Sequence, residues 1–129
     1  GEMKVGIKNQ IKKTVVEELT AKVMGSGRLD VFATPAMVAM MEEAAHTSVE
    51  AELEEGQGTV GTSMTVSHIA ATPVGMEVTC ESELVEVDGR KLVFEIKAMD
   101  EVGLIGEARH ERFIIENEKF LAKTNAKLK

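Results

Sequence analysis

The sequence predicts an α+β fold in which a curved antiparallel sheet wraps around one long helix, and three observations carry that expectation. A helix has a clear start at Thr34-Pro35 and a clear stop in the EEGQG stretch. From Val60 onward the apolar period switches from that of a helix to two, the period of a strand with one buried face. Only one long helix is available, so it must cover the apolar face of the whole sheet.

Residues 7–16 place Ile7, Ile11 and Val15 on one parity and give the first strand. The turn-rich stretch that follows, with GSG at 25–27, yields no assignable element. Thr34 is suited to cap the free N–H groups of a first helical turn, and Pro35 to the first helical position, where no N–H is needed. The helix is expected to run to about Leu53, with Met37, Val38, Met41, Ala44, Ala45, Ser48 and Val49 as its apolar stripe.

Val60, Met64, Val66 and Ala70 then share the parity of one strand, and Val74, Met76, Val78, Cys80 and Leu84 that of the next. Leu92, Phe94, Ile96 and Ala98 continue the pattern, and a last strand covers about Leu104 to Ile115. Glu77, Glu81, Glu83, Lys91, Glu95 and Lys97 fall on the opposite parity, so one face is wet. Asp88-Gly89 reads as a type I′ hairpin turn. One helix held in such a sheet is the hot-dog fold. Residues 7–16 and the final strand are expected to form its open edges, which a homodimer would cover.

The chain has 129 residues, 43% hydrophobic and 29% charged, which suits one domain over residues 1–129. Gly1 and Glu2 precede Met3, the expected start, and are left out of the fold reasoning as an expected cloning remnant. A formal net charge of −7 argues against nucleic acid as a partner. The charge is uneven: residues 90–129 hold 9 basic and 7 acidic side chains, against 6 and 15 before them. The lysines from Lys119 onward read first as a solvated tail. No window is apolar enough to span a membrane, the N-terminus lacks an apolar signal core, and Cys80 has no partner, so a cytoplasmic location is expected.

Three residues are candidates for chemistry. Glu42 borders the helix stripe roughly 90° from its centre, whereas Glu43, roughly 170° away, should face water. The plain alternative for Glu42 is an i,i+4 pair with His46. His68 shares the inward parity of Val60, Met64 and Val66; a lone inward histidine is more often a hydrogen-bonded core residue. Thr34 is first a helix cap. Together they put a carboxylate, an imidazole and a hydroxyl beside the N–H donors of a helix N-terminus, a combination suited to acyl transfer or hydrolysis. His46, His68 and His110 show no metal-ligand spacing with Cys80, and there is no G-x-S-x-G or phosphate-binding glycine loop. Cys80 reads as a packing residue, and no metal or cofactor is expected.

VFATPAMVAMMEEAA, GTVGTSMTVSHIAATPVGMEVT and HERFIIENEKF resemble the fluoroacetyl-CoA thioesterase-like family of hot-dog proteins, from about Val31 to Phe120. In that family a threonine, a glutamate and a histidine act on the thioester, and the pattern maps onto Thr34, Glu42 and His68. The resemblance implies an acyl-CoA thioesterase, with coenzyme A entering only as part of a short or medium acyl-CoA. HER resembles the family's ending, and no catalytic role is expected of Arg112. Pro35 stands where the fluoroacetyl enzyme has glycine, and TAKVMGSGRLDV lacks the phenylalanines of that enzyme's gate. The competing reading is a hot-dog module that binds or senses acyl-CoA without turning it over.

Overall fold

The computed structural model describes residues 2–128. Strand β1 (Lys8–Thr14) is followed by a short helix α1 (Ala21–Met24) and the long helix α2 (Thr34–Ser48). Strands β2 (Gln57–His68), β3 (Glu77–Asp88), β4 (Lys91–Met99) and β5 (Leu104–Glu116) and a terminal helix α3 (Asn117–Asn125) complete the order. The strands form one antiparallel sheet in the order β1-β3-β4-β5-β2. Helix α2 lies against its apolar face, as the hot-dog arrangement requires.

The core is where the two periods meet. Met37, Met40, Met41, Ala44 and Ala45 of α2 are buried against Val78, Cys80 and Leu84 of β3 and Leu92, Phe94 and Ile96 of β4. Small residues on the helix let its axis come close to the sheet, and unbranched methionines fill the uneven space that remains. The ladder shifts register between Gly61 and Ser63 of β2 and between Leu84 and Glu86 of β3. Such bulges bend a strand and increase its twist, which helps a sheet to wrap.

Several expectations need correction. The final strand is not an edge: β5 sits between β4 and β2, and the second open edge is β2. Chain order conceals this, because β2 is laid down before the strand that separates it from β4. The α-helix stops at Ser48 and is continued by a 3₁₀ turn at Glu50–Glu52. Ala70 and Val74 lie outside the strands assigned to them, and Val74 is exposed. The hairpin pairs Asp88 with Lys91, so its central residues are Gly89 and Arg90. Only the glycine has positive φ, at 60°, the pattern of a type II′ turn rather than I′.

The stretch before α2 folds back on itself. Buried Thr20 caps α1, its hydroxyl accepting from Val23 N at 3.3 Å. Ala21 N donates to Val31 O at 2.8 Å, and Phe32 N to Thr72 O at 2.9 Å. These bonds fix α1 beside the start of α2. Among the described residues no helix is long and apolar enough to cross a membrane.

Candidate active site

Thr34 occupies the first position of α2, but it is not the cap. The cap residue is Ala33, extended at φ −73° and ψ 140°, with no side-chain cap bond. The hydroxyl of Thr34 is turned instead to His68, the last residue of β2, with Oγ1 2.7 Å from Nδ1. One proton lies in that contact, so the ring's other nitrogen, Nε2, must find its own partner. It is buried and makes no hydrogen bond. An unmatched buried polar atom costs about 1–3 kcal/mol, and a substrate atom placed there would relieve the cost.

Burial also lowers the pKa of His68, favouring a neutral imidazole. The Phe32 ring meets the imidazole edge-on, with centroids 6.4 Å apart at 78°. A cavity of about 280 Å³ opens onto the pair, bounded by Ala21, Val31, Phe32, Ile69 and Ala71. The lining is mixed: small aliphatic side chains and Phe32 on one hand, Ser26, Thr34 and His68 on the other. A larger concavity of about 1120 Å³ crosses the sheet, lined by charged side chains such as Glu81, Glu95, Lys97 and Arg109. It includes none of the candidate residues, whereas Thr34 and His68 both line the smaller cavity.

Glu42 does not join Thr34 and His68 within the chain. Eight residues separate it from Thr34 along α2, or about 12 Å of helix axis, more than its side chain can span. Nor does it pair with His46, whose Nδ1 is 3.3 Å from Glu50 Oε1. Glu42 Oε2 lies 3.2 Å from Arg112 Nη1 and 4.0 Å from His110 Nε2. Glu43 is not simply solvated: its Oε1 meets Lys13 Nζ at 2.9 Å.

Sequence reasoning missed the buried pair His110 and Arg112. The signal was available in β5, where Ala108, His110, Arg112 and Ile114 share the inward parity. Two polar residues among inward apolar ones call for partners, and Glu42 is one of them. Gly61 faces Arg112 across the ladder. A Cβ at Gly61 would stand 2.8 Å from Glu42 Oε2, 3.2 Å from Arg112 Nη1 and 3.2 Å from His110 Cε1. The missing side chain makes room for the cluster.

Cys80 is fully buried, and burial pushes its thiol pKa up to about 12, so it is a packing residue without a reactive thiolate. No group of three or more His, Cys, Asp or Glu side chains suited to a metal ion occurs among the described residues.

Residues 15–118 match the fluoroacetyl-CoA-specific thioesterase family. A fluoroacetyl-CoA thioesterase of Streptantibioticus cattleyicolor is 46% identical over 98 residues, which are 76% of this chain and 70% of that protein. A solved structure of the fluoroacetyl-CoA thioesterase FlK superposes with a TM-score of 0.92 at 38% identity, over 98% of both chains. A Thermus thermophilus member of the thioesterase superfamily superposes with a TM-score of 0.89 at 28% identity, over 97% of this chain and 93% of that one.

Proposed function

The chain belongs to the fluoroacetyl-CoA-specific thioesterase family and is a thioester hydrolase, and from that premise we propose that it cleaves short acyl-CoA thioesters at a site built from Thr34, His68 and Glu42. The observation that carries the proposal is the Thr34–His68 contact of 2.7 Å at a small cavity of about 280 Å³ that both residues line. That volume lies below the usual range for drug-sized ligands, and suits an acyl group of a few carbons. Water adds across the C–S bond, giving the free acid and coenzyme A as thiol. Thr34 and His68 hold the thioester carbonyl, while the Glu42 carboxylate attacks the carbonyl carbon or takes the proton of the attacking water. Coenzyme A is then substrate and not cofactor. The lone buried Cys80 suits a reducing cytoplasm.

Because one chain keeps Glu42 about two helical turns from Thr34, we assign the complete site to a homodimer. Strand β2 has a neighbour on one side only, and its free edge is available to a second copy. If β2 pairs antiparallel with its own copy, the register that the site requires has its two-fold axis near Met64 and Thr65. That register sets Gly61, against which Glu42 rests, opposite His68 of the partner subunit. Such pairing brings the carboxylate of one subunit toward the hydroxyl and imidazole of the other.

The acyl preference follows from the lining. Fluorine differs little from hydrogen in size, so discrimination requires a closing apolar lid or a path that exploits the substrate's altered electronic character. Phe32 is the one phenylalanine at this cavity, and Val23, Met24 and Leu29 of the segment before it in sequence are exposed. We therefore expect kcat/KM for fluoroacetyl-CoA and acetyl-CoA to differ by less than about a thousandfold, or roughly 4 kcal/mol. Measuring both on the purified protein tests this; a larger ratio would show that these aliphatic residues suffice for discrimination.

A further inference from the structure

We propose that His110 is a positioning residue of the hydrolase, holding the Arg112 guanidinium in the one orientation that presents it to Glu42. The inference rests on the reading that Glu42 acts on the thioester. His110 is 1% exposed, and both of its nitrogens are engaged. Nδ1 lies 2.8 Å from the Ser63 carbonyl oxygen, which can only accept, so Nδ1 carries a proton. Nε2 lies 3.1 Å from Arg112 Nη1, which can only donate, so Nε2 carries none. The two neighbours thus fix both the tautomer and the neutral state of the ring. Burial acts in the same direction, lowering the pKa of His110.

The guanidinium is clamped in turn. Its Nε donates to Thr59 Oγ1 at 2.9 Å and its Nη2 to the Thr59 carbonyl at 3.0 Å. Nη1 has two hydrogens: one meets His110, and the other is directed to Glu42 Oε2 at 3.2 Å. Arg112's side chain is 8% exposed and that of Glu42 is 42% exposed, so the holder is interior and the held group is open. Among the described residues Glu42 has no other hydrogen-bond or ion-pair contact outside this cluster. One carboxylate oxygen is therefore tethered and the other is left free.

The ring packs beside Phe94, with centroids 6.3 Å apart, a contact that leucine could also make. What leucine lacks is the acceptor for Arg112 and the donor for the Ser63 carbonyl, and an amide side chain can supply both. The site leaves no route for His110 itself to reach a substrate, so its influence must pass through Arg112 and Glu42.

The test compares His110→Leu, which removes the acceptor, with His110→Gln, whose amide oxygen can replace it. Steady-state hydrolysis of acetyl-CoA and the thermal midpoint are measured for both. We expect His110→Leu to lower kcat by about 10- to 100-fold with KM held, since a displacement near 1 Å can cost that much, and the thermal midpoint to fall because the Ser63 carbonyl and an Arg112 N–H lose their partner. His110→Gln should recover most of the loss. Wild-type turnover in His110→Leu, or equal losses of kcat in both variants, would overturn the proposal. If His110→Leu does not fold, Thr59→Val against Thr59→Ser puts the same question through Arg112 Nε; wild-type turnover in Thr59→Val would count against it. Glu42→Gln separates the two layers. Full activity there overturns the reading of Glu42 and this inference with it. An inactive Glu42→Gln beside a fully active His110→Leu overturns this inference alone.

Discussion

Glu42→Gln is expected to lower thioester hydrolysis by about 10²–10⁴-fold in kcat, the usual range for a positioned acid, base or nucleophile, while Glu43→Gln changes it little. The comparison is sharp because the two side chains are adjacent on one helix and equally open, 42% and 44% exposed. Exposure therefore does not separate them; their partners do. Glu43 points to Lys13 of β1, an exposed pair worth at most about 1 kcal/mol, and it has no route to the cavity. Glu42 points to a buried guanidinium beside the β2 edge. Glutamine keeps the shape and one acceptor oxygen for Arg112 but loses the negative charge. Steady-state kinetics on the two variants decides the matter: equal losses would show that the helical phase does not select the reacting carboxylate.

Gly61→Ala should be nearly as damaging, although it adds a single carbon and touches no ionisable atom. Its Cβ would fall 2.8 Å from Glu42 Oε2, closer than a carbon can stand to an oxygen, and 3.2 Å from both Arg112 Nη1 and His110 Cε1. Arg112 and His110 are interior and doubly anchored, so the exposed carboxylate must yield. Displacing it by about 1 Å should cost about 10²-fold in kcat. Crowding at the bulge adds about 1–3 kcal/mol of destabilisation. Measuring kcat together with urea unfolding would separate the two. Unchanged turnover would mean that Glu42 can act from a second position, and the clamp would lose its purpose.

The fold was legible because the helical stripe and the alternation of β3 and β4 are regular. In β2 the bulge between Gly61 and Ser63 breaks the parity, so Val60, read with Met64 and Val66, pairs with Phe113 on the opposite face. Thr34-Pro35 begins the helix, Val78, Cys80 and Leu84 alternate inward as read, and the polar parity of β3 and β4 faces water. Strand order was not legible, because nothing in the local pattern of β2 or β5 records that β5 inserts between β4 and β2. The segment at 17–33 escaped assignment because it is held by scattered backbone bonds to Leu29, Val31 and Thr72 rather than by a repeating pattern. For Thr34 the local rule pointed to the wrong partner: a threonine before proline suggests a cap, whereas the hydroxyl serves a histidine 34 residues away. His110 and Arg112 are the converse case. Their inward parity was readable in β5, but the meaning of that parity depends on Glu42 and Thr59, which only the tertiary structure brings near.

The claim that joins these observations is that one hydrolytic site combines Thr34 and His68 of one chain with Glu42 of another. Mixing two separately inactive proteins, Glu42→Gln and His68→Ala, under conditions that exchange subunits tests it directly. Half of the reassorted dimers would be hybrids, each with one intact site, so thiol release from acetyl-CoA should return to about a quarter of the wild-type rate. A mixture no more active than the sum of its two components would contradict the account.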